Sequence, residues 1–324
     1  MPGTYAVGVD VGATKILAGV IDYESGSLVS TVKLASPMDG ADSVVDAVGE
    51  AVSRAMFDAP KDIAKQVKRI GLGVAGQVDR ATGLLYAAPN LGGGIENVQL
   101  AKPLRDRFNV PVALGNDVEA AALGESKFGA GRGKKLFACV FVGTGIGGAL
   151  VQDGVRYRGA SGSAGEIGHI MVQAGGRLCG CGQKGHLEAY ASRTAIVAML
   201  REKVQAGAES SLSALLLDTS QRVRSKPLWQ AVQDGDKLVV EGIQEAANYL
   251  ALGLSTLINL WNPERVVLGG GVIDRIDMLF NLAAEGAKQL SLPIASSAVD
   301  IVRAELGDNS GMVGAALIEP PKGK

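Results

Sequence analysis

Histidine and cysteine are scarce in this sequence, which has two histidines and three cysteines in 324 residues. Because two of the three cysteines are one residue apart, we expect no disulfide framework, and a cytoplasmic location is favoured. The first residues lack a basic segment followed by an apolar core, so we predict no secretory signal. Glycines interrupt the uncharged runs, so we predict no membrane-spanning helix. The net charge of −1 argues against a nucleic-acid-binding surface.

The composition is that of a globular protein, with 47% hydrophobic residues, 20% charged residues and 45 glycines. Short β-branched apolar runs alternate with longer segments of 3.6-residue periodicity, and this alternation predicts an α/β fold. A strand, glycine turn and returning strand occur at residues 7–20 and again at residues 139–155. The repetition predicts two related lobes that face each other across a ligand cleft. We expect an N-terminal lobe at 1–115, joined by a C-terminal helix at 308–324, and a C-terminal lobe at 116–307.

The second glycine turn, GTGIGG at residues 143–148, also satisfies the dinucleotide-binding pattern G-x-G-x-x-G. That pattern requires a helix directly after the glycines. The residues that follow here, GALVQDGV, have the pattern of a strand, so we predict no Rossmann site. Neither glycine turn matches the P-loop pattern G-x-x-x-x-G-K-[ST]. Backbone N–H groups in such turns can still bind phosphate, although a simple hairpin turn is the alternative for either turn alone.

The first glycine turn, DVGATK at residues 10–15, has a carboxylate and a hydroxyl on either side of a glycine. Asp10, Gly12 and Thr14 suit a Mg²⁺-bound phosphate, because oxygen atoms bind the cation while backbone and hydroxyl groups donate to the anion. Lys15 either adds positive charge to this site or lies on a solvent-exposed strand face. A third glycine turn, at residues 268–272, favours phosphate binding over a set of simple hairpins.

Both histidines and two cysteines fall within residues 169–186, with the spacing H-x9-C-x-C-x4-H. Histidine nitrogen and cysteine sulfur are the usual ligands of tetrahedral Zn²⁺, and two thiolates neutralise the cation. A disulfide between Cys179 and Cys181 would instead close a very small, strained loop. We predict one structural Zn²⁺, bound by His169, Cys179, Cys181 and His186. Cys139 lies in an apolar strand and is predicted to be a small buried side chain.

Two carboxylates flank the predicted zinc ligands. Glu166 lies three residues before His169, and Glu188 lies two residues after His186. A metal-bound loop would hold both carboxylates in a fixed geometry, which suits acceptance of hydrogen bonds from a ligand.

In combination, these motifs resemble those of a known superfamily. DVGATKILAGVID, VGTGIGGAL and VVLGGGV are similar to the two phosphate motifs and the adenosine motif of sugar kinases, actin and heat-shock chaperone ATPases. GSAGEIGHIMV and CGCGQKGHLEAYAS narrow the resemblance to the ROK family (repressor, open reading frame, kinase), and it extends from Asp10 to DNSGMVGAALIE. The resemblance implies a two-lobed actin-like ATPase fold, of the ribonuclease H-like type, that binds ATP with Mg²⁺.

The resemblance also implies which residues bind the nucleotide and the metals. The implied nucleotide-binding residues are Asp10, Gly12, Thr14, Lys15, Thr144, Gly145, Gly269, Gly270 and Gly271, and Asp10 would act on Mg²⁺ indirectly. ROK proteins bind zinc with one histidine and three cysteines, which implies His169, Cys179 and Cys181 as ligands here. His186 takes the place of the usual last cysteine, and imidazole serves in many zinc sites.

Asp117 is the candidate catalytic base, since phosphorylation of a sugar hydroxyl requires a residue that takes its proton. Asn116 and Asp117 end a predicted strand and precede a helix, so either could instead cap that helix, and the two roles are compatible. The ROK pattern has its catalytic aspartate in this pair. The residues that the resemblance assigns to the sugar are Gly76, Asn90, Asn116, Asp117, Glu166, His169 and Glu188.

The function implied by the resemblance is ATP-dependent phosphorylation of a hexose, with conversion of glucose to glucose 6-phosphate as the expected reaction. The alternative acceptors are fructose and an N-acetylated hexosamine, either N-acetylmannosamine or N-acetylglucosamine. A sugar-sensing transcriptional regulator is a more distant alternative. The expected partners are a hexose, MgATP and further copies of the chain in a homodimer or homotetramer, with neither nucleic acid nor a membrane.

Overall fold

A computed structural model describes residues 5–320, and its strands and helices are numbered along the chain. The strands are β1 (Tyr5–Val11), β2 (Lys15–Asp22), β3 (Leu28–Ala35), β4 (Val67–Val74), β5 (Gln77–Asp79), β6 (Leu84–Ala88), β7 (Ile95–Gln99), β8 (Val112–Asn116), β9 (Leu136–Val142), β10 (Ile146–Gln152), β11 (Val155–Arg156), β12 (Arg265–Gly269) and β13 (Asp300–Arg303). The helices are α1 (Ala41–Asp58), α2 (Lys61–Ala64), α3 (Ala101–Phe108), α4 (Asp117–Phe128), α5 (Glu188–Ala191), α6 (Arg193–Gln205), α7 (Ser213–Leu217), α8 (Ser225–Gln233), α9 (Lys237–Trp261), α10 (Asp277–Leu290), α11 (Pro293–Ala298) and α12 (Ser310–Ala315). Single 3-10 turns lie at Ile167–His169 and Gly307–Asn309.

Two compact units make up the described chain, and each contains a mixed β-sheet with helices, which confirms the predicted α/β class. The first unit consists of residues 5–133, 154–156 and 308–320. The second unit consists of residues 134–153 and 157–307.

The first unit is built on a five-stranded sheet in the order β3-β2-β1-β4-β8. Strands β1, β2 and β3 pair antiparallel, whereas β4 and β8 run parallel to β1. Helix α1 buries Val44, Val48 and Val52 in the core beside this sheet. Their four-residue spacing places all three on one face of the helix. The short strands β5, β6 and β7 form a separate antiparallel sheet.

The second unit repeats part of this arrangement. Strand β9 pairs antiparallel with β10 and parallel with β12, which in turn pairs parallel with β13. The long helix α9 begins after Asp236, whose side chain accepts a hydrogen bond from Val239 N (3.1 Å). The helix ends before Asn262, whose backbone has a left-handed conformation. Within the described part of the chain, no helix combines the length and apolarity needed to span a bilayer.

Several elements agree closely with the sequence pattern. The predicted strands at residues 5–11, 15–22 and 28–35 are confirmed as β1, β2 and β3. The glycines at residues 143–145 lead into strand β10 rather than a helix, which confirms that no Rossmann motif is present there. Cys139 is fully buried in β9, as expected.

Helix α12 packs on the first unit through glycines that allow backbone to approach backbone. A Cβ on Gly8 of β1 would overlap the carbonyl of Met312, and one on Gly71 of β4 would overlap the carbonyl of Ala315. On its other side, α12 contacts α4, where a Cβ on Gly314 would overlap a backbone carbonyl. The part of the predicted helix 308–324 beyond residue 320 lies outside the described residues. The assignment of functional lobes to 1–115 and 116–307 stays a prediction.

Candidate active site and metal centre

The carboxyl ends of three neighbouring parallel strands bring predicted site residues together in the first unit. Asp10 is the second-last residue of β1, Val74 ends β4 and Asn116 ends β8, and the pairing register makes these ends level. Gly76 lies just beyond β4, and Asp117 begins α4. The carboxyl edge of parallel strands is where open α/β sheets usually bind ligands.

The first glycine turn joins β1 to β2 at this edge. The Gly12 N–H donates to the carbonyl of Lys15 (3.0 Å), and the Gly12 carbonyl accepts from the Ser36 hydroxyl (2.5 Å). Thr14 is exposed, so its hydroxyl is accessible to a ligand. The turn is therefore held by its own backbone and by Ser36, which leaves the Thr14 side chain available for binding.

Asp10 is half-buried below the start of α12, where a Cβ on Gly311 would lie 2.9 Å from the Asp10 carboxyl carbon. Burial raises the pKa of Asp10 to about 7; the negative charges of Asp117 and Asp308 add to the rise, and Lys15 opposes it. A cation beside Asp10 would favour the ionised carboxylate and lower this pKa.

Lys15 forms an ion pair at the start of β2. Its Nζ is 2.9 Å from Asp308 Oδ2, and its side chain is 26% exposed. Because its charge also acts on Asp10, the structure favours the interpretation in which Lys15 adds positive charge to this edge.

Asn116 is the N-cap of α4, so the capping role proposed for the Asn116–Asp117 pair belongs to Asn116. The Asn116 Oδ1 accepts from Val118 N (2.9 Å) and Glu119 N (3.3 Å), as an N-cap side chain does. The Asp117 Oδ1 also accepts from Val118 N (2.9 Å). Since Asn116 satisfies the first N–H groups of the helix, replacing the Asp117 carboxylate would leave the cap in place.

Gly76 contacts Asn116 directly, because the Asn116 Nδ2 donates to the Gly76 carbonyl (3.2 Å). A Cβ on Gly76 would lie 2.6 Å from the carbonyl of Ala87 in β6, so only glycine fits there without a shift. Asn90 is exposed in the loop between β6 and β7 of the same unit.

A buried carboxylate that sequence reasoning missed lies in the first turn of α4. Glu119 is 3% exposed, forms an ion pair with Arg80 and has Oε2 3.5 Å from an Arg156 nitrogen. Arg80 follows β5 and Arg156 belongs to β11, so these ion pairs hold the helix that begins with Asp117. No local sequence signal could have found Glu119, because its partners are distant along the chain.

In the second unit, two glycine turns lie side by side at the ends of β9 and β12. The pairing register places Phe141 opposite Gly269, so the turn that begins at Gly143 and the turn at Gly270 share one edge of the sheet. Gly270 has a φ of 93° and packs against Val142, whose carbonyl would be 2.6 Å from a Cβ at that position. Glycine is therefore required there, both for the positive φ and for the close approach. Gly271 is exposed at the same edge.

The start of α6 holds the turn at Thr144. The carbonyl of Gly143 accepts from Arg193 N (2.9 Å), and the carbonyl of Thr144 accepts from the Thr194 hydroxyl (2.7 Å). The Arg193 guanidinium also donates from Nη2 to the Thr144 hydroxyl oxygen (2.6 Å). The sequence predicted Thr144 as a phosphate-binding residue but gave no sign of Arg193, because one arginine at a helix start is unremarkable.

The four predicted zinc ligands form one cluster. Their nearest donor atoms all lie within 4.8 Å of one another. Cys179 Sγ is 3.8 Å from His169 Nδ1, and Cys181 Sγ is 3.2 Å from His186 Nδ1. Ligand atoms around tetrahedral Zn²⁺ are about 3.3–3.8 Å apart, given Zn–N near 2.0 Å and Zn–S near 2.3 Å. The donor types and the two Sγ–Nδ1 distances therefore fit Zn²⁺, in a site where four protein ligands would leave no open position.

Local backbone contacts build the loop that carries these ligands. The Cys179 N–H donates to the carbonyl of Gln183 (2.8 Å), and Gly182 turns the chain between them with a φ of 88°. Burial raises the pKa of the Cys179 thiol to about 11, and the charge of Glu188 contributes. Bound Zn²⁺ would reverse this pKa shift, because a thiol must lose its proton to bind the metal.

The two predicted sugar-binding carboxylates differ in their surroundings. Glu166 is exposed immediately before the 3-10 turn, and its carbonyl accepts from His169 N (3.0 Å). Glu188 is half-buried, its Oε2 accepts from Ile146 N (2.8 Å) and its Oε1 is 3.8 Å from Cys179 Sγ. Gly145 packs against the same carboxylate, which a Cβ would overlap. Glu188 thus contacts both the metal-ligand loop and the second glycine turn.

Comparison with known proteins relates these features to a family. The model of the ROK family matches residues 6–321. The chain is 35% identical over 317 residues to a glucokinase of Streptomyces coelicolor, a match that covers 96% of each protein.

Solved structures extend the comparison to the fold. A ROK family glucokinase from Streptomyces griseus, in complex with glucose and AMPPNP, has a TM-score of 0.82 and 35% identity, over 96% of this chain and 98% of that chain. A ROK family transcriptional regulator, a homologue of the E. coli MLC protein, has a TM-score of 0.81 and 26% identity, over 98% of this chain and 78% of that one. The first similarity confirms the predicted fold class, the actin-like ATPase fold.

Proposed function

Because the chain belongs to the ROK family, we propose that it transfers the γ-phosphoryl group of ATP to a hexose, and that the hexose is glucose. The observation that carries this proposal is the carboxyl edge of the first sheet, where the register of β1, β4 and β8 brings Asp10 level with Asn116 and with Asp117 at the start of α4. Similarity to two glucokinases supports glucose as the acceptor and glucose 6-phosphate as the product.

Asp117 is the general base of the proposed reaction. Its carboxylate accepts the proton of the sugar O6 hydroxyl while O6 bonds to the γ-phosphorus and the bond to the β–γ bridging oxygen breaks. ADP leaves with the electron pair of that bond. Asn116, oriented by its bond to the Gly76 carbonyl, binds the sugar beside Asp117, together with Gly76 itself and Asn90.

The glycine turns supply the nucleotide contacts. In the first unit, Asp10 acts on Mg²⁺ indirectly, while Gly12, Thr14 and Lys15 contact phosphate. In the second unit, the turn residues that contact the nucleotide are Thr144, Gly145, Gly269, Gly270 and Gly271. When bound, Mg²⁺ neutralises phosphate charge as the γ-phosphoryl group is transferred.

The metal-ligand loop orients sugar-binding side chains in the second unit. His169 has its Nδ1 toward Cys179, so its Nε2 is the nitrogen left to contact a sugar hydroxyl. Glu166 and Glu188, on either side of the zinc ligands, accept hydrogen bonds from other hydroxyls. Zn²⁺ in this proposal is structural and takes no part in phosphoryl transfer.

The test is an ADP-release assay with purified protein across glucose, fructose, mannose, N-acetylmannosamine and N-acetylglucosamine. We expect ADP release that depends on glucose and is lost in Asp117→Asn. A preference for another sugar would replace glucose as the acceptor and keep the kinase. Hexose binding by calorimetry, with no ADP release from any sugar, would contradict the kinase proposal and favour the sugar-sensing regulator.

A further inference from the structure

Three arginines lie at the two glycine turns of the second unit, and the nucleotide contacts assigned above use none of them. Arg193 is the first residue of α6 and donates to the Thr144 hydroxyl oxygen (2.6 Å). Arg222 and Arg224 are exposed and directly precede α8. The first residue of α8, Ser225, has its hydroxyl oxygen 4.0 Å from where a Cβ on Gly271 would lie. The start of α8 therefore lies beside the third glycine turn, as the start of α6 lies beside the second.

The positive charges of these arginines act on one another. Burial lowers the pKa of the Arg193 guanidinium, and the charges of Arg222 and Arg224 lower it further. Among residues 5–320, none of the three forms an ion pair with an aspartate or a glutamate. Arginine does not lose its proton in proteins, so the mutual repulsion persists unless an anion binds.

The chemistry of the three side chains identifies the anion. A guanidinium donates a planar pair of hydrogen bonds that matches phosphate oxygens. Three such groups supply enough positive charge for a chain of phosphates, more than a single carboxylate would need. The Thr144 hydroxyl oxygen already accepts from Arg193, so its one proton is available to donate to the same ligand.

We propose that Arg193, Arg222 and Arg224 bind the phosphate chain of the phosphoryl donor, beside the glycine turns at Thr144 and Gly271. The ligand class is a linear chain of at least three phosphates, carried by a nucleoside triphosphate or present as inorganic tripolyphosphate. This inference rests on the proposed function, which identifies the ligand that carries the phosphate chain as the phosphoryl donor.

Calorimetry with the intact, hexose-free protein tests the proposal, with MgATP and magnesium tripolyphosphate as separate ligands. The decisive variant is Arg222→Gln/Arg224→Gln, because both side chains are exposed and neither is needed for packing. The matched control is Lys226→Gln, an exposed cation two residues further along. Arg193→Gln is the third variant, and its thermal unfolding is measured first because Arg193 also orders the turn at Thr144.

The double variant, which loses two exposed charged donors to phosphate, should bind MgATP about five- to tenfold more weakly than wild type. Arg193→Gln, which loses one partly buried charged donor, should bind it about tenfold or more weakly. Lys226→Gln should bind as wild type does. If the affinity for tripolyphosphate falls in parallel, the protein recognises the phosphate chain by itself. If the wild-type protein binds only MgATP, it recognises the phosphate chain as part of the nucleotide. Affinities of the double variant within about twofold of Lys226→Gln for both ligands would overturn the proposal.

These measurements separate this inference from the kinase proposal, because binding is measured without a sugar. A protein that phosphorylates no hexose, yet loses MgATP affinity in the double variant, would contradict only the kinase proposal. A double variant that phosphorylates a hexose with an unchanged KM for MgATP would contradict only the arginine site.

Discussion

The carboxylate of Glu188 accepts a hydrogen bond from the backbone N–H of Ile146, with 2.8 Å between the two atoms. Glu188 follows the predicted zinc ligand His186 by two residues, and Ile146 lies in the second glycine turn, where β10 begins. Glu188 and Ile146 are 42 residues apart in the sequence, a distance that alone gives no reason to link the metal-ligand loop to the second glycine turn. The shared carboxylate instead couples them, so a change in the loop should reach both proposed substrates.

We expect the zinc content of the protein to depend on which side chain occupies position 186. Purified protein should contain one zinc per chain, and His186→Cys should keep it because thiolate is an equally good ligand. His186→Ala removes a ligand, so zinc affinity should fall beyond the roughly 10–100-fold typical of losing an outer partner. Elemental analysis after dialysis checks the metal content.

The same variants should also differ in KM, because Glu188 contacts both the metal-ligand loop and the second glycine turn. In His186→Ala the loop should lose its order, so KM should rise for glucose and, through the bond to Ile146, for MgATP as well. His186→Cys should show neither change. A zinc-free His186→Ala with wild-type KM values for both substrates would contradict the coupling.

Asp117→Asn should abolish the base without disturbing the helix, because Asn116 provides the cap. We expect kcat to fall by about 10²–10⁴, the usual range for loss of a general base, with a modest change in sugar affinity. Steady-state kinetics and a thermal unfolding curve on the same preparation check both parts. A variant that keeps more than about a tenth of the wild-type kcat would show that Asp117 is not the base.

The raised pKa of Asp10 predicts that the ligand-free protein loses stability as pH rises. Its folded-state pKa is about 7 against an ordinary value of 3.8. Between these values the folded state holds a proton that the unfolded chain has released, so this contribution to stability is full below pH 3.8 and is lost as pH rises through 7.

Asp10→Asn mimics the protonated carboxyl and should remove that pH dependence. Its Tm advantage over wild type should grow from pH 4 to pH 7 and reach about 10 °C, since each pKa unit of difference corresponds to about 1.4 kcal/mol and about 1 kcal/mol shifts Tm by roughly 2–4 °C in domains of this size. Asp39→Asn, at an exposed aspartate, is the control. Tm curves of Asp10→Asn and wild type that stay parallel across this range would contradict the assignment.

Glu119→Gln should destabilise the first unit, because it leaves Arg80 and Arg156 without their shared carboxylate. We expect a loss of roughly 2–4 kcal/mol in the free energy of unfolding, below the range for fully buried pairs because both arginines are partly exposed. The exposed pair of Glu50 and Arg54 supplies the control, where Glu50→Gln should cost less than about 1 kcal/mol. Urea unfolding curves measure the stability of both variants. Equal midpoints for Glu119→Gln and the wild-type protein would rule out a stabilising role for Glu119.

Features set by neighbouring residues could be predicted from the sequence. A short apolar run bounded by Lys15 and Asp22 is enough to define β2, and the four predicted zinc ligands cluster because they fall within residues 169–186. Such patterns depend on local geometry alone, which the order of residues determines directly.

Relationships across the sheets could not be predicted in this way. The effect of Asp117 on Asp10 depends on the register of β1, β4 and β8, and the bond from Arg193 to Thr144 depends on where α6 packs. Arg222 and Arg224 lie in the segment 205–236, which is polar and irregular in sequence yet contains α7 and α8. The homodimer or homotetramer stays a prediction.

The close packing of α12 on β1 and β4 also imposes an order on biosynthesis. Residues 308–320 belong to the first unit but leave the ribosome after all of residues 134–307. Until then, Gly8 and Gly71 present bare backbone to solvent, and Asp10 lacks the helix start that buries its carboxyl. The first unit, although its strands are made first, can therefore finish folding only after the second unit has been synthesised.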